Sequence, residues 1–193
     1  PDQYEATRTF LSSLRWQKSF GRLFIESSIS YRKNFDRFEM VKGSPSTVPY
    51  NYHNTDRLGL ALRADYSWLW GKTSLYADYR YDHLLSSVLG EPLATPRRVK
   101  GESDALYTKG KKQNSGDVRV RHVKQWRRFD IEGSAGCVFS PGEATPVWSL
   151  SGGYRPVDGL HIGAAAVQSM RLPSFTDLYY TATGYIGNPH LKP

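Results

Sequence analysis

The chain has 193 residues, 39% of them hydrophobic, a mean hydropathy of −0.55 and a formal net charge of +8. No apolar run approaches the ~20 residues that a membrane helix needs, and one cysteine, Cys137, leaves neither an intramolecular disulfide nor a thiolate cluster for zinc or iron–sulfur. The polar mean does not exclude a transmembrane β-barrel, which turns only alternate residues toward lipid, and 13 Tyr with 5 Trp suit interface girdles as well as a soluble β core.

Predicted strands follow in chain order. After one at about Ala6–Gln17, Leu23, Ile25, Ile29, Tyr31 and Phe35 share one parity and Glu26, Ser28, Ser30, Arg32 and Asn34 the other. Side chains of a strand point to opposite faces with period two, so one face is apolar and one is wet. From Leu58 onward Leu58, Leu60, Leu62, Ala64, Tyr66, Trp68 and Trp70 oppose Arg57, Arg63, Asp65 and Ser67. Leu75, Ala77, Tyr79 and Tyr81 then oppose Tyr76, Asp78, Arg80 and Asp82. Weaker alternation predicts strands at about Asp117–Lys124, Arg128–Phe139, Val147–Arg155 and Leu160–Arg171. The total is about eight, each near the ~10 residues that cross an outer membrane.

Lys18–Arg22, Gly71–Lys72, Gln125–Arg127 and Pro156–Gly159 read as tight turns, whereas Asp36–Asn54, Leu84–Ser115, Ser140–Pro146 and Leu172–Pro193 read as longer loops. Pro lacks a ladder donor and Gly is entropically poor in strands, so Gly43, Pro45, Pro49, Gly90, Pro92, Pro96, Gly101 and Gly110 all argue for loop. Tight and long alternate strictly, as in up-and-down barrels with short periplasmic turns and longer extracellular loops. With the tight turns in the periplasm, Trp16, Trp68, Trp70 and Trp126 fall at one rim, and Tyr31, Phe35, Tyr79, Tyr81 and Trp148 near the other. The expected fold is all-β, an antiparallel up-and-down transmembrane β-barrel segment holding about eight strands of a larger barrel. A soluble β-sandwich binding module is the alternative, favoured by the polar mean and opposed by the alternating loop lengths. The chain opens at Pro1 without an initiator Met or a charged-then-apolar stretch, so targeting information is expected to be removed or encoded elsewhere.

Residues that carry chemistry are scattered. His53, His83, His122, His161 and His190 have no second ligand at helical or alternate-strand spacing, so no metal and no cofactor is expected. Ser174 with Asp177 resembles hydrolase parts, but Ser and Asp in a Pro-led turn ordinarily satisfy local backbone donors. Glu26 with Asp65, or Asp78 with Asp82, read as polar lumen residues paired with Arg in preference to catalytic carboxylates. An enzyme is therefore not expected. The basic residues outside mixed surroundings are Arg97, Arg98, Lys100, Lys109, Lys111 and Lys112, placed in one long loop. That loop is either simply solvated or meets lipopolysaccharide phosphates or an acidic ligand. Nucleic acid is excluded as a partner because no aromatic stacking face accompanies the charges.

The stretch Arg171-Leu172-Pro173-Ser174-Phe175-Thr176-Asp177-Leu178-Tyr179-Tyr180, followed by Gly187-Asn188-Pro189-His190-Leu191-Lys192-Pro193, resembles a signature of TonB-dependent outer-membrane receptors. Trp148-Ser149-Leu150 and Tyr154-Arg155-Pro156 resemble the approach to it. The resemblance implies that Arg171, Pro173, Phe175, Asp177, Leu178 and Tyr179 close one barrel strand and that Gly187, Asn188 and Pro189 open the next, in structural roles. It further implies a barrel of ~22 strands, a plug domain and remaining strands outside this chain, energy supplied by TonB through that plug, and uptake of a scarce small-molecule ligand across the bacterial outer membrane. Residues 1–193 are then all barrel. Arg80-Tyr81-Asp82-His83-Leu84-Leu85-Ser86-Ser87-Val88-Leu89-Gly90 resembles a segment of receptors assigned to cobalamin in Bacteroides-like bacteria. Cobalamin is the favoured ligand on that basis, with siderophore or haem as alternatives. The loops at Asp36–Asn54 and Leu84–Ser115 are expected to touch it.

Overall fold

A computed structural model describes residues 2–182 and 184–191, which leaves the Lys192-Pro193 end of the second motif outside the described residues. One antiparallel sheet dominates it. Its strands are β1 (Tyr4–Phe20), β2 (Leu23–Glu39), β3 (Asn51–Trp68), β4 (Gly71–Ser86), β5 (Glu91–Arg98), β6 (Leu106–Gln125), β7 (Phe129–Ser140), β8 (Glu143–Tyr154) and β9 (Ile162–Gln168). The order is β1-β2-β3-β4-β6-β7-β8-β9, with β5 attached to β6. A short helix α1 (Phe175–Tyr179) and a small hairpin of β10 (Thr181–Ala182) with β11 (Tyr185–Ile186) follow. Apart from β5, each strand pairs with its neighbour in sequence, as an up-and-down barrel wall requires, and β1 and β9 are open edges of a sheet that does not close on itself.

Residues paired across a ladder share a face, so the register sorts the side chains. Leu14, Ile29, Leu60, Tyr79, Gly116, Phe139 and Ala144 form one continuous row. Leu62, Ala77, Val118, Cys137 and Pro146 form the next. This outer face is exposed: Leu14 at 70%, Leu60 at 43% and Leu62 at 41%. The opposite, inner face carries the charges. Asp65 and Asp82, each only 4% exposed, lie there among Arg57, Arg63, Arg80, Arg119 and Arg121. Apolar groups open and carboxylates crowded is the reverse of a soluble domain, and it is the pattern of a sheet curved around its polar face.

Outward of the band the arrangement changes. Tyr52, Leu85, Val99 and Tyr107 form a buried cluster with Phe35, Tyr50 and Leu93 against it. Phe35, Tyr52 and Leu85 belong by register to the outer face, so Leu93, Val99 and Ala105, packed with them, cover that face there, while β5 itself extends the sheet beside β6. Arg37 ties the cover down by donating to Glu102 at 3.1 Å. Burial, reinforced by the nearby Tyr52, pushes the Tyr107 phenol up to about 12. The outer face is thus bare between Leu58 and Trp68, and covered by protein above it. That stretch of β3 is about 33 Å long at ~3.3 Å per residue and about 25 Å tall at a strand tilt of ~40°, which is the height of an outer-membrane apolar band.

Several expectations need correction. Leu84–Ser115 is not one loop: β4 runs on to Ser86, β6 starts at Leu106, and β5 lies between, so Arg97, Arg98, Lys109, Lys111 and Lys112 stand on strands and only Lys100 on a connection. The strands here leave the membrane, where neither face must be apolar, and the alternation that reveals a strand is lost. Pro92 and Pro96 are tolerated because β5 is an edge whose register shifts between Pro92 and Arg97. Likewise β2 and β3 shorten the expected Asp36–Asn54 loop to residues 40–50. Ser140–Pro146 is a two-residue turn, Pro141–Gly142, with Gly142 at φ 81° as the second position of a Pro-Gly turn favours, while the connection around Pro156–Gly159 lengthens to residues 155–161. Strict alternation of tight and long therefore fails at the last hairpins. Phe35 is part of the covered cluster instead of a rim residue, whereas Trp16, Trp68, Trp70 and Trp126 are all exposed toward the tight-turn end.

Leu62→Arg should destabilise the barrel in lipid by ~2–4 kcal/mol. Spin labels at Leu62 and Arg63 should differ in oxygen accessibility, higher at 62; equal values would show that the faces are misassigned.

Candidate functional site at the outer end of the inner face

The inner face is held together by ion pairs between neighbouring strands and along them. Arg57 Nε donates to Asp82 at 2.6 Å, Arg63 and Lys72 both reach Asp65 at 2.7 and 2.8 Å, Arg80 meets Asp82 at 3.1 Å, and Arg121 donates to Glu132 through two nitrogens at 2.6 Å. Asp65 and Asp82 are thus each engaged by two cations, which leaves neither as a general base. Asp78 faces Asp117 in register, and Asp117 is paired with Arg119 at 3.1 Å. A cleft of about 380 Å³ runs over this face, lined by Ser30, Arg57, Asp78, Arg80, Asp117 and, from the far side, Leu172.

The two family-like stretches form one knot at the outer end of that face. Ser174 caps α1: its hydroxyl accepts from the Asp177 N–H at 3.2 Å while the Asp177 carboxylate accepts from the Ser174 N–H at 2.8 Å. Arg171 completes the arrangement by donating to the same carboxylate at 2.9 Å. The Ser174 N–H and hydroxyl, with Arg171 beside them, hold the Asp177 carboxyl below the usual aspartate range. Ser174 and Asp177 are consequently a helix cap. Leu178 is buried, and Gly187 packs onto its carbonyl group so closely that a Cβ would lie 2.8 Å from backbone. The Gly187 N–H donates to the Tyr180 carbonyl at 2.7 Å and the Asn188 N–H to the Asp177 carbonyl at 3.0 Å. The strand expected to run into Arg171 ends at Gln168, and the segment from Arg171 to Tyr179 is a capped helical turn on which Gly187-Asn188 closes.

The knot sits against the sheet. Ser174, Phe175 and Thr176 share a cleft of about 300 Å³ with Arg32, Asn34, Asp36, His53 and Arg57. Leu172, Pro173, Tyr179 and Pro189 line a second of about 360 Å³ with Lys111, Gln113 and the Pro141–Gly142 turn. Lys111 bridges the parts, with its ammonium bonded to Glu91 and 5.7 Å from the centre of the Tyr179 ring. The Glu91 carboxylate holds Lys111 above the ordinary lysine value, against desolvation.

The six basic residues therefore do not act together. Lys109 donates to the Val88 carbonyl at 3.0 Å, Lys111 belongs to the knot, and Arg97, Arg98, Lys100 and Lys112 are exposed. Asp36 and His53 fall within the 36–54 segment expected to touch ligand, and Arg32 and Arg57 on the wet parity of β2 and β3. The inner parity of Arg32 and Arg57 is the signal that finds them; that Asp36 and His53 pair across β2 and β3 on the same inner face is what a loop at 36–54 does not foresee. His53 Nδ1 lies 2.9 Å from the Ser86 hydroxyl, and among the described residues no group of His, Cys, Asp and Glu is arranged to hold a metal ion. The stretch Arg80–Gly90 is largely interior: Leu84, Leu85, Ser86 and Leu89 are buried, and the Ser86 hydroxyl accepts from the N–H groups of Val88 and Leu89 at 3.0 and 2.8 Å.

Residues 2–193 match the family model described as TonB dependent receptor-like, beta-barrel. No curated protein matches the chain significantly.

The Asp177 cap should be pH-sensitive in one direction. Its stabilisation is fully present above the ordinary aspartate value of about 3.9 and is lost as pH falls through the lower value it has in the fold. Hydrogen-exchange protection factors of the 175–188 amides should hold from neutral pH to about that value and drop below it, and Asp177→Asn should show the drop at every pH. A protection profile rising on acidification would refute the assignment.

Proposed function

Because the chain belongs to the TonB-dependent receptor β-barrel family of the bacterial outer membrane, we propose that it supplies barrel wall and extracellular loops to a receptor that takes up cobalamin. The observation that carries the receptor reading is the inversion of the sheet, with a bare apolar band of membrane height outside and ion-paired charge inside. Cobalamin rests on the resemblance of Arg80–Gly90; because that stretch is largely buried, it acts through the shape of the outer end and not by touching ligand. Siderophore and haem are the competing ligands. Ligand meets the clefts beside α1, where Arg32, Asp36 and His53 line one wall.

TonB acts on this wall through a plug domain encoded outside these residues, and further strands of the same barrel pair with β1 and β9. Open edges in hydrocarbon would leave backbone groups unsatisfied at several kcal/mol each. The exposed Arg97, Arg98, Lys100 and Lys112 meet lipopolysaccharide.

A tag inserted after Gly101 should be labelled on intact cells, and one after Asp158 only after permeabilisation; equal labelling of both would overturn the topology. Uptake of radiolabelled cobalamin should require both the receptor and TonB, and be untouched by excess haem or ferric siderophore. Uptake of either competitor in its place would reassign the ligand.

A further inference from the structure

Thr7, Asp36, His53, Ser86 and Lys109 pair across β1, β2, β3, β4 and β6, so their side chains share the inner face at its outer end. Ser86 is fully buried. Its oxygen accepts from the N–H groups of Val88 and Leu89 at 3.0 and 2.8 Å and lies 2.9 Å from His53 Nδ1. A hydroxyl has two lone pairs and one hydrogen. Both lone pairs are spent on the turn, so the hydrogen goes to Nδ1, and the proton of the neutral imidazole sits on Nε2. Burial, opposed by Asp36, holds His53 below the ordinary histidine value, which keeps it neutral at neutral pH. Lys109 is committed to the Val88 carbonyl at 3.0 Å.

His53 and Asp36 are cross-strand partners that both line the cleft of about 300 Å³. Asp36 accepts from the Thr7 hydroxyl through one oxygen at 2.9 Å, which leaves the other to accept. Among the described residues His53 Nε2 makes no hydrogen bond to it; the two interact through charge alone. The wall therefore presents an N–H donor beside a carboxylate acceptor. Among the described residues lining the cleft Asp36 is the one acid, Arg32 and Arg57 stand two pleats deeper, and Leu84, Leu89 and Phe175 are apolar. Arg57 is engaged by Asp82.

We propose that Asp36 and His53 bind a primary carboxamide of the ligand, its carbonyl oxygen accepting from His53 Nε2 and its N–H donating to Asp36, with Ser86 as the positioning residue that fixes the donor. This rests on the cobalamin reading above and names the chemistry by which the cleft selects. Cobalamin carries carboxamides around its corrin ring, whereas haem carries carboxylates on its porphyrin. A carboxylate here meets the Asp36 charge and has no hydrogen to give it, so the cleft selects by repulsion as well as by fit.

The test uses the whole receptor, plug included, and equilibrium binding of cobalamin and of its monocarboxylic acids, in each of which one side-chain amide is hydrolysed. One of the acids should bind about tenfold more weakly than cobalamin. Asp36→Asn should remove that discrimination and still bind cobalamin, and His53→Leu should weaken cobalamin about tenfold. Arg15→Gln, which removes a charge elsewhere on the inner face, should change neither. In receptor labelled with nitrogen-15 at histidine, the imidazole resonances should place the His53 hydrogen on Nε2, and Ser86→Ala should turn them into a mixture of the two tautomers. Equal binding of cobalamin and every monocarboxylic acid, discrimination kept in Asp36→Asn, or a His53 hydrogen on Nδ1 would each overturn the site. The two readings fail separately: cobalamin bound without discrimination against any of its acids sinks only the carboxamide site, and no binding of cobalamin sinks the cobalamin reading with it.

Discussion

Backbone hydrogen bonding in hydrocarbon is the constraint from which the rest of this chain follows. No water is present there to satisfy a bare N–H or C=O, so every residue of the band must be paired across a strand ladder. Pairing fixes the pleat, and the pleat sends consecutive side chains to opposite sides. What would be a hydrophobic interior in a soluble domain is turned outward, and polar groups are gathered inside. Leu60 open and Asp82 buried are two readings of the same geometry.

Gathering charge on the inner face carries a desolvation cost that unpaired groups would not survive. The sheet meets it with cations placed on both sides of each crowded acid: Asp65 between Arg63 and Lys72, Asp82 between Arg57 and Arg80. These contacts join β3 to β4 and run along the strands, so they stiffen the wall without a packed core. Among the described residues, the buried apolar cluster of Tyr52, Leu85, Val99 and Tyr107 lies where hydrocarbon stops. The same strands therefore use two kinds of burial in sequence, lipid below and Tyr52 with Tyr107 above.

How much of this the sequence discloses depends on which environment a segment lives in. Between Leu58 and Asp82 the two faces meet lipid and water, the residues differ accordingly, and period two is plain. Beyond Leu84 both faces meet water or covering protein, so Lys109–Gln113 shows no alternation although it continues β6. Pro141, Gly142 and Pro146 together read as loop, although Ala144 and Pro146 keep the outer parity of β8. The candidate site was half legible. The two motifs identified its knot, yet the bonds from Gly187 and Asn188 back to Tyr180 and Asp177 are tertiary facts. The clefts with Arg32 and His53 depend on where the knot lands on the sheet, which no local pattern encodes.

The ladder from β2 through β8 runs without a slip inside the band, with partners advancing one for one along every pair. Length changes in this protein are therefore governed by even and odd. One residue gained within the band would exchange lipid-facing and lumen-facing side chains along the remainder of its strand, driving arginine into hydrocarbon, whereas two would restore the phase at the expense of a local bulge. Residues 40–50 and 99–105 have no such arithmetic to respect. Relatives of this chain should differ there by any number of residues, and within the walls by pairs.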